Sequence, residues 1–345
     1  MQPFVTLILF GLVFLFAGGY FFWKALQTPY KGYPEAKRRV EIRKGLRTAS
    51  ILRHLQRQGV LRDEYVPLIY MKLVRNRDSL KAGVYEFAGP LAATAVVEKL
   101  TRGDVVLNTV TIREGLDRFA IARLFSAEGL GTEKDWNRIT GDPELIRDIA
   151  PQAKSLEGYL FPDTYKFDPG TPASTIAKAM VANFRHAFGN ELAYITTGLD
   201  LHDTVTLASI VETEARLPEE RPMVASVYLN RLHKQMRLGA DPTVIYAMKL
   251  AGRWDGNIRK ADLQMESPYN TYRVAGLPPG PIANPGVAAL RAAAAPARTS
   301  FLYFVAKQDG SHAFSTTLAE HNRNVETWQR QWYRDRKAQA AAQQP

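Results

Sequence analysis

Leu207-Ala208-Ser209-Ile210-Val211-Glu212-Thr213-Glu214-Ala215 reads as a helix that carries a carboxylate on its apolar side. Leu207, Ile210 and Val211 precede Glu214 by seven, four and three residues, so the four share one helical face. Glu212 falls over Ala208 and Ser209, on the more polar side. A carboxyl placed among apolar side chains is costly to ionise, so its pKa rises and it holds a proton near neutral pH. A general acid needs that property. The same letters also fit a plainer reading, in which Glu214 is the last polar residue of a helix fraying ahead of Pro218.

Working outward, the chain alternates helical and strand periodicities. Helices are expected near 118–128, 173–188, 204–215 and 219–235, with Asp203 placed to cap the third and Glu219 and Glu220 suited to the positive start of the fourth. A strand at 301–306, then Gly310 and a second strand at 312–315, signals a hairpin. Val40-Glu41-Ile42-Arg43-Lys44-Gly45-Leu46 matches Val110-Thr111-Ile112-Arg113-Glu114-Gly115-Leu116 at an offset of 70 residues, and Ile51, Arg53 and Gly59 align with Ile121, Arg123 and Gly129. Each copy reads as strand, glycine turn and glycine-ended helix. A strand at 81–87, a helix at 91–100 and a strand at 105–112 lie between them. The fold class is therefore α+β, with a small module at 38–108, a larger domain at 109–332, and a tail at 333–345 rich in Ala, Gln and charge that should fray.

With 345 residues and 46% apolar content the chain can bury a sizeable core. It has no cysteine, which excludes disulfides, thiol catalysis and cysteine-ligated zinc. The net charge of +11 is concentrated between Lys24 and Lys81, where 15 basic residues face 5 acidic ones. Such a patch suggests an anionic neighbour, but aromatic residues are not interleaved with it and no nucleic-acid-binding pattern is present, so nucleic acid is not expected. Residues 1–23 carry no charged side chain and end in Tyr20-Phe21-Phe22-Trp23, followed by Lys24. At 1.5 Å per residue they would extend about 34 Å, so a retained transmembrane helix is expected, followed by a basic linker at 24–37. The positive-inside rule would put Lys31, Lys37, Arg38 and Arg39 in the cytosol.

The six histidines, at 54, 186, 202, 233, 312 and 321, show no HExxH spacing, and GxSxG, Walker and Rossmann glycine patterns are absent. His312 and His321 read as satisfied polar residues. Carboxylates beside aromatic groups remain. Glu157-Gly158-Tyr159-Leu160-Phe161-Pro162-Asp163-Thr164-Tyr165 suits either sugar rings or a packed loop. Asp241, before Pro242, suits a helix N-cap. Ser267 to Tyr272 runs into a proline-stiffened loop, 276–286, that walls a groove or crosses the surface.

At these residues the chain resembles the YceG-like family of membrane-anchored endolytic murein transglycosylases. The matching pieces are Glu157-Gly158 with Phe161-Pro162-Asp163-Thr164, Ala208 to Glu214, Val224-Ala225-Ser226-Val227 with Leu229-Asn230-Arg231-Leu232, and Met236-Arg237-Leu238. They continue through Asp241 to Tyr246, Tyr269-Asn270-Thr271-Tyr272, Gly276 to Gly280 and Tyr303-Phe304-Val305-Ala306. The resemblance implies a lyase that cleaves MurNAc–GlcNAc bonds in nascent peptidoglycan without water, leaving 1,6-anhydro ends and terminating strand elongation. It puts the catalytic glutamate, acid and then base, at Glu214. Thr213 stands where the family often has Lys, which removes a nearby positive charge and favours a protonated Glu214. Tyr269, Asn270 and Tyr272 are the candidates for holding the glycan, with Glu157 and Asp241 in support. The 38–108 module would be LysM-like and glycan-binding. Peptidoglycan strands, inner-membrane lipid and peptidoglycan synthases are the implied partners, with no cofactor or metal. The expected location is the inner membrane, single-pass, with the catalytic domain on the periplasmic side, against the charge rule. A two-carboxylate hydrolase and a non-catalytic glycan-binding scaffold are the alternatives.

Overall fold

A computed structural model describes residues 2–75, 77–189, 195–332 and 334, and the side chains within these except at 2–8 and 10. The chain forms two units, Met1–Thr109 with Lys166–Gly170, and Val110–Tyr165 with Thr171–Pro345. The expected frayed tail lies almost wholly outside the described residues.

In the first unit α1 (Gln2–Gln27) precedes an antiparallel pair, β1 (Arg38–Ile42) and β2 (Gly83–Phe87), with Val40 opposite Tyr85 and Arg38 opposite Phe87. Alternation sends Val40, Ile42, Tyr85 and Phe87 inward. They meet Ile51, Leu52 and Leu55 of α2 (Thr48–Arg57) and Val96 and Leu100 of α4 (Ala93–Arg102), while α3 (Tyr65–Leu73) packs alongside.

Among the described residues no helix is long and apolar enough to cross a membrane. This overturns the transmembrane helix expected over 1–23, and with it the single-pass inner-membrane placement and inner-membrane lipid as a partner. Beyond Lys24 the helix belongs to the fold: Leu26 is buried and α1 packs against α3 and α4.

The second unit is mainly helical: α5 (Arg118–Ala127), α6 (Glu133–Thr140), α7 (Ala173–Gly189), α8 (Leu201–Glu214), α9 (Arg221–His233), α10 (Asp241–Leu250), α11 (Val287–Ala294) and α12 (Leu318–Val325). Strands β3 (Asn108–Thr111) and β4 (Thr164–Phe167) pair with each other, and β5 (Tyr303–Ala306) and β6 (His312–Ser315) form the hairpin. The two repeat copies each give a strand, a glycine turn and a helix. Gly45 and Gly115 turn at φ 83° and 78°, and Gly59 and Gly129 end their helices at φ 73° and 70°.

Helix α8 is the centre of this unit, packed on α9, α10 and α11, with Thr204 through Val211 all buried. Its hydroxyls bury at little cost because each bonds to a main-chain carbonyl of its own turn: Thr204 to Asp200 at 2.7 Å, Thr206 to His202 at 2.8 Å and Ser209 to Thr206 at 2.7 Å. Two caps differ from the sequence reading. Asp200, not Asp203, caps α8, accepting from the Asp203 amide at 2.8 Å, because the helix begins three residues earlier than its apolar pattern. The α10 cap position is Ala240, which leaves Asp241 as the first helical residue, its carboxylate free to turn elsewhere.

Candidate active site

The second acid of the Glu-x-Glu pair is the last residue of α8, and its half-buried side chain forms a wall common to two adjoining cavities of about 420 and 530 Å³. Both cavities also share Ala306, His312 and Gln329. The smaller one holds Asp241, Tyr228, Arg231, Tyr272 and His321. The larger one holds Thr213, Arg216 and Lys307.

Burial pushes the Glu214 carboxyl up to about 7, and the negative charge of Asp241 pushes the same way. The Tyr228 hydroxyl, donating to Glu214, and the Arg231 charge oppose the rise. Arg231 acts by field alone, since its guanidinium is held by the Leu302 carbonyl (Nε, 2.6 Å) and the Leu238 carbonyl (Nη1, 2.5 Å). At neutral pH the group is thus poised to give a proton and to take one back.

Glu212 is also part-buried but differently furnished. Its Oε1 accepts from Arg221 Nη2 at 2.7 Å and its Oε2 from the Gly286 amide at 3.0 Å. Burial raises its pKa as well, against the Gly286 donor and the Arg221 charge. Ala208 and Ser209, the supposed polar side beneath it, are fully buried, so the contrast of faces drawn from periodicity does not separate the two acids. What separates them is the partner set: Glu212 is committed to an arginine and an amide, whereas Glu214 faces open space. The Thr213 hydroxyl, between them, is taken by the Ser209 and Ile210 carbonyls at 3.1 and 2.9 Å.

The other sequence candidates divide between two places. Tyr272 and Asp241 join Glu214, the Tyr272 hydroxyl donating to Asp241 Oδ1 at 2.6 Å. Asn270 is fully buried and spends its amide on main chain, Nδ2 to the Leu263 and Met265 carbonyls at 3.0 and 2.8 Å and Oδ1 from the Tyr272 amide at 3.0 Å. It shapes the turn that presents Tyr272. Tyr269 and Glu157 belong to a separate buried cluster around Tyr246, whose ring lies 5.1 Å from that of Tyr269. Glu157 accepts from the Arg118 amide at 3.0 Å and from Asn284 Nδ2 at 2.8 Å, and burial pushes it up to about 8.

The proline-stiffened loop does not wall this cleft; it touches the surface only over 276–279 and then turns inward. Residues 280–286 are buried against α8, with the Ile282 amide on Ser209 Oγ at 3.0 Å and Asn284 Oδ1 accepting from Gly158 and Leu160 at 2.9 Å. Tyr159 is likewise buried, its hydroxyl 2.8 Å from His202 Nδ1, so the 157–165 stretch packs in the core at that ring rather than offering it to a sugar.

Sequence reasoning missed Tyr228, Arg231 and the β5–β6 and α12 contributions. Tyr228 and Arg231 are one turn apart on α9, a spacing that was visible. His312 is a satisfied polar residue, 2.6 Å from Glu220 Oε2. His321 is not: its Nδ1 is buried without a partner among the described residues, and burial and Arg231 lower its pKa. Among the described residues no His, Asp and Glu cluster with metal-binding geometry occurs.

Comparison with known proteins gives one consistent result. An "endolytic murein transglycosylase" of Bacillus subtilis is 32% identical over 333 residues, covering 91% of each chain. A protein of the same description from Streptococcus pneumoniae is 27% identical over 361 residues, and the match spans 65% of its length. A crystal structure of a YceG-like protein from Listeria monocytogenes superposes with a TM-score of 0.57 at 34% identity, over 84% of this chain and 99% of that one. Residues 40–327 match the YceG-like family as a whole, and with that extent of match the chain belongs to the YceG-like family.

Proposed function

We propose that this protein is an endolytic peptidoglycan lytic transglycosylase cleaving MurNAc–GlcNAc bonds within glycan strands, with Glu214 as acid and then base. The observation that carries the proposal is one carboxyl, its pKa raised to about 7, in the common wall of two adjoining cavities, which we read as the two arms of a glycan groove. An endo-acting enzyme needs that arrangement, since the chain must continue past the scissile bond in both directions. The family membership and the described activity of the Bacillus and pneumococcal relatives support the same reading.

In the first step protonated Glu214 gives its proton to the glycosidic oxygen as the C1–O bond breaks. The carboxylate then takes the proton of the C6 hydroxyl as O6 closes onto C1, so the catalyst is restored and no water is consumed. Asp241 keeps the acid protonated beforehand, and the Tyr228 hydroxyl steadies the carboxylate in between. General acid–base catalysis of this kind contributes roughly 10²–10⁴-fold. Tyr272, held by Asp241, offers a half-exposed ring to a sugar face. The module at 38–108 is proposed as a LysM-like glycan-holding element, testable by whether its separate addition of tight binding is lost when residues 38–108 are replaced in the full chain.

A second reading has one observation in its favour. Asp241 lines the same cleft as Glu214, as a two-carboxylate hydrolase would require. Mass analysis of the products decides. Anhydro ends support the transglycosylase, and products heavier by one water support the hydrolase.

A further inference from the structure

The two cavities that meet at Glu214 differ in charge. The smaller has Asp241, and its one arginine is occupied by main-chain carbonyls. The larger is lined by two cations, Arg216 and Lys307, and apart from Glu214 by no carboxylate. Among the described residues neither cation has an ion-pair partner. Asp309, the nearest acid along the hairpin, is turned to Ser311, its Oδ1 accepting from the amide at 2.9 Å and the hydroxyl at 2.7 Å, and it meets Lys307 through its field without a contact. The Lys307 ammonium rests over the part-exposed Trp328 ring, 5.3 Å from its centre. Arg216 has a purely structural attraction to the C-terminal end of α8. Lys307, on a hairpin, has no helix end to serve, and its one structural attraction is the Trp328 ring.

Resting on the reading of this cleft as a glycan groove, we infer that the larger cavity binds a carboxylate carried on the lactyl branch of the muramyl residue. The hydroxyls and acetamido groups of the sugars are neutral, so two cations without a contacting carboxylate beside the scissile bond have no counterpart on the sugar rings. The lactyl branch supplies one in either of two forms: the carboxylates of an attached stem peptide, or the lactyl carboxylate itself where the peptide has been removed. The cavity therefore selects anionic over neutralised branches, and places the muramyl branch on the Arg216–Lys307 side of Glu214.

Three strand preparations test this: stems intact, stem carboxylates amidated, and stems removed to leave the lactyl carboxylate. The full-length protein should favour intact over amidated strands by roughly three- to tenfold in kcat/KM, carried in KM, as two partly exposed charge pairs allow. The ratio should fall towards one with added salt. It should also fall in Arg216→Gln/Lys307→Gln, and partially in each single variant, so a double variant that fails to fold does not end the test. A preference for stripped strands alone assigns the lactyl carboxylate, which is free only there; intact alone assigns the stem-peptide carboxylates, and both over amidated strands shows that either carboxylate fills the site. Equal rates on intact, amidated and stripped strands by the parent, or a ratio unchanged in the variants, would overturn the inference. Equilibrium binding of the same three preparations to Glu214→Gln keeps the two readings apart: an affinity preference without cleavage by the parent upholds the anion site and defeats the catalytic proposal.

Discussion

Replacing Tyr228 by Phe and Asp241 by Asn should move the proton affinity of Glu214 in opposite directions, and the rate should follow. The acid form of Glu214 starts the reaction, so kcat/KM must fall as pH rises through its pKa in the free protein, about 7. The Tyr228 hydroxyl favours the ionised form, and its removal raises the pKa. A hydrogen bond to a charged group is worth about 1.5–3 kcal/mol, or about one to two pH units at 1.36 kcal/mol each, and the lower end applies in a cleft open to water. The descending limb should thus move up by about one unit in Tyr228→Phe. Asp241 disfavours the ionised form by repulsion, so Asp241→Asn should move the limb down, by on the order of half to one unit at the effective dielectric of a partly solvated site. Asn still offers an oxygen to Tyr272, so the cleft wall keeps its shape. The assay is the pH profile of kcat/KM on peptidoglycan strands, scored by anhydro product. Limbs that coincide in all three proteins, or that move the same way in both variants, would refute the assignment of the limb to Glu214.

Other outcomes follow from the partner sets. Glu212→Gln strands the buried Arg221, which keeps only Glu114 at 3.5 Å, so the fold should lose about 3 kcal/mol in denaturant unfolding while the folded fraction still cleaves. Abolished cleavage in a fully folded Glu212→Gln would shift the catalytic role to that residue. Gly158→Ala should cost roughly 2–4 kcal/mol, because the residue turns at φ 87° and an added Cβ would lie 2.5 Å from Pro281 Cγ; an unchanged unfolding midpoint would contradict this. Asn270→Ala leaves two buried carbonyls and the Tyr272 amide short of a partner, and should lower stability by about 2–3 kcal/mol; a loss of glycan affinity at unchanged stability would show direct contact instead.

Much of the element order was legible because local rules act locally. Glycine turns at 45 and 115 and the period of the hairpin strands locate their elements without tertiary help. The buried face that leads to Glu214 was legible too, through Leu207, Ile210 and Val211, which are all buried. Periodicity alone does not separate Glu214 from Glu212. Thr204, Thr206 and Ser209 look polar yet satisfy themselves within α8, so the helix is buried nearly all round and no polar face exists to read. Asn270 and Glu157 were misleading for a related reason: a polar side chain that holds loops together has the same letter as one that holds a ligand. Only coordinates show that the Asn284 amide closes the circuit of Gly158, Leu160, Leu116 and Glu157. The cleft itself is assembled from α8, α9, α10 and the hairpin, drawn from segments far apart in sequence, and no spacing rule brings those together.

The most direct measurement is the product yield of Glu214→Gln, a change that keeps size and shape and removes the transferable proton. Incubated with intact peptidoglycan strands at pH 6 and quantified by mass spectrometry, the folded variant should release anhydro-ended fragments at least about a hundredfold more slowly than the parent. Anhydro ends formed at the parental rate would show that the proton comes from another group.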